Sequence, residues 1–136
     1  MPDVIRFELP MALPSLNRRD RQHWAVRRKE KMLMSMEIIA SIGGPAHLPE
    51  NIPWRNVRVT VVRRSSGRLD PDNLVASAKN LLDCLCVKSS RHPTGLGIIV
   101  DDADDALSLV MRQAKATRGS PSTSVTIERI RPLLFG

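Results

Sequence analysis

Arg68-Leu69-Asp70-Pro71-Asp72-Asn73-Leu74 is the stretch on which the division of this chain into elements turns. An Asp followed by Pro reads as a helix start. The Asp carboxylate accepts the backbone N–H groups that the first turn leaves without partners, and Pro occupies the next position, where no N–H is needed. At 100° per residue the helix that follows separates into two stripes. Leu74, Ala78, Leu81, Leu82 and Leu85 gather on one side and are expected to face a core. Asp72, Lys79 and Asp83 gather on the other side as a polar ridge, which reads either as an ordinary wet face or as a chemical one.

Upstream, residues 55–64 alternate as a strand should, with Val57, Val59 and Val61 on one face and Arg58, Thr60 and Arg64 on the other. This strand delivers the chain, through Ser65-Ser66-Gly67, to Asp70. Downstream, residues 88–97 read as a flexible basic loop. Ile98-Ile99-Val100 reads as a short buried strand ending in Asp101-Asp102, and a persisting strand would point these two acids to opposite faces. Residues 107–114 and 124–130 read as two more strands, with Arg118-Gly119-Ser120-Pro121 making the turn between them.

At the other end, Ile5-Arg6-Phe7-Glu8-Leu9 alternates as a strand stopped by Pro10. A basic, turn-rich loop follows, and then a helix expected over 21–42 and stopped at Gly43-Gly44-Pro45. In that helix Met32, Met36, Ile39 and Ala40 recur at helical spacing, as a core or dimer-packing stripe. Residues 45–53 form a proline-rich linker within one domain. The expectation is therefore a single α+β domain over 1–136, a mixed sheet of about five strands packed with two main helices.

Charge narrows the function classes. Lys and Arg number 21 against 14 Asp and Glu, a net charge of +7, which favours a polyanionic partner. Arg18, Arg19 and Arg21 begin a basic run that reaches Lys31 and reads as a phosphate-contacting arm. Half of the acids, by contrast, fall between Asp70 and Asp105. Carboxylates concentrated in a basic protein suggest metal held within a phosphate-binding surface, as in a nuclease. The opening residues lack a signal peptide's apolar core and no stretch has the length of a membrane span, so the cytoplasm is the expected location.

Other chemistries fit less well. Cys84-x-Cys86 followed by His92 offers three soft ligands without a second pair, and reads as semi-buried thiols rather than a zinc site. His23, His47 and His92 are scattered and read as surface or capping residues. Asp104 and Asp105 read as turn residues, because a calcium loop would need a Gly at its sixth position and a carboxylate where Arg112 stands. There is no P-loop or dinucleotide fingerprint. With no Tyr and four other aromatics, a base-stacking platform is not expected either. Magnesium prefers oxygen ligands, and Asp70, Asp72 and Asp102 can supply them, with Lys79 placed to stabilise developing charge.

Asp70-Pro71-Asp72-Asn73-Leu74, the helical Lys79 with Asp83 four residues on, and Gly97-Ile98-Ile99-Val100-Asp101-Asp102 together resemble the RusA family of Holliday junction resolvases. The opening strand running into Leu13-Pro14-Ser15-Leu16-Asn17 is also similar. The resemblance implies a homodimeric, magnesium-dependent endonuclease, with manganese able to substitute, that makes paired symmetric nicks in four-way junction DNA during recombination and repair. It implies Asp70, Asp72 and Asp102 as metal-binding acids, Asn73 as the motif Asn beside Arg68 at the DNA, and Lys79 as the catalytic-type lysine, with Asp101 and Asp83 as further candidates. Lys79 lies one turn beyond the lysine of some members, where this chain has Ala76, and the loop over 87–96 is longer than in compact members. The alternatives are a branched-DNA-binding protein without catalysis, as a decayed prophage copy would be, and a different metal-dependent phosphoesterase or a structural interaction protein that uses the acidic ridge as an interface.

Overall fold

A computed structural model describes residues 3–15, 24–103, 106–116 and 119–130. Four strands form one sheet: β1 (Val4–Leu9), β2 (Val57–Ser65), β3 (Leu107–Lys115) and β4 (Ser122–Arg129), in the order β1-β4-β2-β3. β4 lies antiparallel to both β1 and β2, whereas β2 and β3 are parallel. The chain thus steps over β2 between β3 and β4, with Gly119 in the left-handed region on the way. The fold is a single-domain α+β arrangement with a mixed sheet.

The register sorts the side chains cleanly. Ile5, Phe7, Leu9, Val57, Val59, Val61, Val125 and Ile127 share the buried face. Arg6, Arg58, Thr60, Thr126 and Glu128 share the opposite, wetter one. The long helix α1 (Trp24–Ile42) and the pair α2 (Pro71–Ser77) and α3 (Lys79–Leu85) complete the architecture. Met34 and Ile38 of α1, Leu81 and Leu85 of α3, Trp54 and the Ile98-Ile99 pair join the sheet in one core. Among the described residues no helix is long and apolar enough to cross a membrane.

Four expectations need correction. Ile98-Ile99-Val100 is not a fifth strand: Ile99 makes only isolated bridges to Trp54 and Cys86. The N–H groups of both Ile98 and Ile99 donate to Leu85 O, one of the carbonyls left open at the end of α3. The segment caps a helix instead of extending the sheet.

The second helix is not continuous either. It breaks at Ala78, where Ser77 Oγ donates to Leu74 O at 2.6 Å and the Ala78 N–H turns back to Val75 O. The polar ridge accordingly divides. Asp72 and Lys79 are exposed, but Asp83 is buried with only 5% of its surface accessible. α3 is covered on nearly every side, so even its polar residues Asn80 and Asp83 lie inside.

In α1, Met32 and Met36 point outward, while Met34, Ser35 and Ile38 are buried, so the core half of that expectation falls and the dimer-packing half is left untouched. Met, Leu, Ile and Val occur all round this helix, so spacing alone does not select the packed stripe. Finally, the connection over 88–97 is a tied loop and not a flexible one. The Ser89 and His92 backbones exchange hydrogen bonds, the Leu96 N–H donates to Cys84 O, and the Gly97 N–H donates to Cys86 O.

Candidate metal-ligand site

Both acidic motifs lie in the crossover that joins the parallel strands β2 and β3. Asp70 caps α2 as its sequence implies, with Oδ1 accepting the Asn73 N–H at 2.9 Å and Oδ2 accepting the Asn73 side-chain amide at 2.8 Å. Gln113 of β3 then fixes the approach to this turn by a pair of hydrogen bonds to the backbone of one residue, Leu69. Its Oε1 accepts the Leu69 N–H at 2.9 Å, and its Nε2 donates to Leu69 O at 2.8 Å. Asp70, Asp72, Lys79 and Arg68 are all exposed.

Asp101 and Asp102 stand where the crossover comes back to β3. Ala106 and Leu107 N–H groups donate to Ala103 O, which binds this segment to the start of the strand. Leu69 is clamped near the opposite end of the same strand. Between Leu107 and Gln113 a strand rises about 20 Å. Pro71 and Asp102 nevertheless wall one open cavity of about 530 Å³, floored by Leu74, Leu82, Leu107, Leu109 and Met111.

The structure brings a different set of side chains together. Ligating atoms of Cys86, His92, Asp101 and Asp102 all lie within 4.8 Å of one another, a group able to hold a metal ion. Asp70 and Asp72 are not in this group. Asp101 and Asp102 enter it side by side because no strand persists to send them to opposite faces; Asp101 Oδ1 accepts the Asp102 N–H at 2.7 Å. That hydrogen bond holds the Asp101 carboxyl below its ordinary value, while burial and the Asp101 side chain push Asp102 up. Burial pushes the Cys86 thiol up to about 12, with Asp102 and Asp101 adding to the effect.

His92 is not a surface residue. It is buried, and its two ring nitrogens make no hydrogen bond. Nδ1 faces Asp83 Oδ1 at 3.6 Å and Nε2 faces Asp102 Oδ1 at 4.0 Å. Asp83 is in turn held by Lys31 of α1, with Nζ 2.8 Å from Oδ2. Cys84 and Cys86 are both fully buried free thiols. The spacing Cys-x-Cys…His was visible in the sequence, but the inward turn of His92 comes from the tied loop. Ser35 of α1 helps to hold that loop through Thr94 O at 2.6 Å.

Arg18, Arg19 and Arg21 lie outside the described residues, as do Asp104 and Asp105. Arg63 continues the Val57, Val59, Val61 alternation and is buried on the core face of β2, a place its charge does not announce in the sequence. It donates to Leu13 O at 2.7 Å and to Gly67 O at 3.0 Å, tying the end of β2 to the residues after β1. Compared with known proteins, the chain matches no family model and no curated sequence. The fold and site therefore define a class only: a single-domain α+β protein with a buried Cys-His-Asp group able to hold a metal ion.

Proposed function

We propose that this chain is a metal-dependent endodeoxyribonuclease that resolves four-way DNA junctions by paired nicks, working as a homodimer with magnesium. The observation that carries the reading is the Asp70-Pro71-Asp72-Asn73 turn. It presents two exposed carboxylates, of which Asp70 is held by Asn73, on a backbone that Gln113 ties down at Leu69, in a chain of net charge +7. The resemblance to the RusA family rests on the same residues.

Donor chemistry supports assigning the magnesium to this turn. Each carboxylate has about four lone-pair positions, and Asp70 has committed only two to hydrogen bonds. A hard cation takes such oxygens together with water and substrate phosphate. Bound there, magnesium would activate a water and offset charge at the attacked phosphate. Lys79 is exposed nearby in the chain, suited to the same charge. Trp24, Met32, Leu33 and Met36 leave apolar surface on α1 that a second copy can cover, which supports a homodimer.

A second reading is favoured by one specific observation: Asp70 and Asp72 stand apart from the ligand group that contains Asp102. In that reading the protein binds branched DNA without cutting it. One experiment separates the two. The purified protein is incubated with a synthetic four-way junction and a matched linear duplex, with and without magnesium. Symmetric nicks in the junction alone, requiring magnesium, support the resolvase; tight junction binding with no nicks overturns it in favour of the binding protein.

A further inference from the structure

We propose that Cys86, His92, Asp101 and Asp102 form a transition-metal site of the zinc class, separate from the carboxylate pair Asp70–Asp72, with His92 coordinating through Nε2 and oriented by Asp83. The site goes beyond the nuclease reading: it leaves magnesium to the Asp70–Asp72 turn and gives Asp101 and Asp102, with Asp83 behind them, to a different ion.

The first support is the donor set. One sulfur, one imidazole nitrogen and two carboxylate oxygens match a borderline-soft ion that accepts S, N and O ligands in a tetrahedron. They do not match magnesium, which leaves thiols and imidazoles to softer ions. In a tetrahedral site with bonds of about 2.1 Å, neighbouring ligand atoms are roughly 3.4 Å apart. The observed spread of up to 4.8 Å, with Nε2 and Asp102 Oδ1 at 4.0 Å, needs only a small closing of side chains.

The second support is His92. A buried imidazole is normally satisfied at both nitrogens, because an unpartnered polar atom costs on the order of 1–3 kcal/mol. Here neither nitrogen has a hydrogen bond, and the ring lies between two carboxylates. A metal on Nε2 resolves this. The Nδ1–H then points at Asp83, the carboxylate–histidine–metal relay common in such sites. Lys31 holds the far oxygen of Asp83 and so fixes the relay to α1.

The third support is the backbone that carries the ligands. Cys86 follows the last residue of α3, and its own carbonyl accepts the Gly97 N–H. The loop bearing His92 is therefore anchored at both ends against the cysteine. Cys86 Sγ now donates to Leu82 O at 3.2 Å, and that proton leaves when the thiolate binds the ion. Asp101 and Asp102, half-buried, keep the site open to arriving ions.

The test uses the full-length protein stripped with a chelator, then titrated with zinc by calorimetry and with cobalt by absorption spectroscopy. Expected are one zinc per chain and, with cobalt, a thiolate-to-metal charge-transfer band that disappears in Cys86→Ser. His92→Gln is expected to weaken zinc at least tenfold, and Asp83→Asn about 10- to 100-fold, acting through His92. Should His92→Gln fail to fold, the cobalt band of wild type against Cys86→Ser decides alone. No saturable zinc binding in wild type overturns the proposal, as does wild-type affinity in both ligand variants or a cobalt spectrum without sulfur. Because these readouts involve no DNA, zinc binding without junction cleavage sinks only the nuclease reading, and cleavage without zinc binding sinks only this one.

Discussion

Asp83 and His92, nine positions apart in the chain, face each other inside the protein with Oδ1 3.6 Å from Nδ1. The α3 helix brings one and the tied loop brings the other. Lys31 completes the arrangement from α1, so one buried carboxylate links three separate segments.

Removing that carboxylate should be costly. Asp83→Ala leaves Lys31 without its partner and His92 beside a void, and is expected to destabilise by about 2–4 kcal/mol, at or below the range for breaking a buried pair because Lys31 is partly exposed. Asp83→Asn keeps shape and hydrogen-bonding capacity and should cost less. Urea denaturation measures both; a loss below about 0.5 kcal/mol for the alanine variant would show that the pair is not structural.

Gly95 sits where no side chain fits. A Cβ there would lie 2.3 Å from Cys86 O and 2.8 Å from Lys88 N, both backbone atoms that cannot swing aside. Gly95→Ala is expected to lower stability by about 2–3 kcal/mol and to loosen the loop that carries His92. An unchanged melting temperature would mean that the close approach relaxes at no cost.

The Cys86 thiol, raised to about 12 chiefly by burial, sets a pH dependence for the metal-free protein. Its folded value lies above the ordinary thiol value of about 8.5, so its contribution is complete below that value and is lost as pH rises toward 12. Stability should therefore fall over this range, and fall less steeply in Cys86→Ser. Urea midpoints at several pH values give the slopes; identical slopes would contradict the assignment. At pH 8 the native protein should also resist thiol alkylation that the denatured chain undergoes readily.

Asp72→Asn tests the exposed carboxylate pair. Folding and junction binding should survive, because Asp72 is exposed and Asp70 provides the cap. Junction cleavage should slow by about 100-fold or more, the loss expected when metal-based charge stabilisation of several kcal/mol is removed. Cleavage close to the wild-type rate would remove Asp72 from the proposed metal ligands.

The basic run can be probed through salt. Replacing Arg18 and Arg19 with Ala should weaken junction binding and reduce the slope of log affinity against log salt by about 2, roughly one unit per lost phosphate contact. Binding isotherms at four or five salt concentrations measure it. An unchanged slope would show that these arginines do not touch the DNA backbone.

Much of the fold was legible in the sequence because its causes are local. The Asp70-Pro71 cap, the alternation of Val57, Val59 and Val61, and the Gly43-Gly44 stop each depend on neighbours within a turn or a pleat, and each lies where the local rules put it. The partners of those elements are not local. Whether Met32 or Met34 packs inward, and whether Ile98-Ile99 joins the sheet or caps α3, depended on which surfaces met.

For the site the division is sharper. The sequence alone determined which reactive side chains are available: the acids of the crossover, the basic surplus, and a Cys-x-Cys followed by a histidine. Only the tertiary structure decided how they group. A crossover between parallel strands leaves at one end and returns at the other, so Asp70 and Asp72 start it and Asp101 and Asp102 finish it. The same return presses the 88–97 loop against α3. Burial there turns His92 inward beside Cys86, Asp101 and Asp102, a meeting that no spacing in the chain encodes, because it is set by packing against α1 and α3.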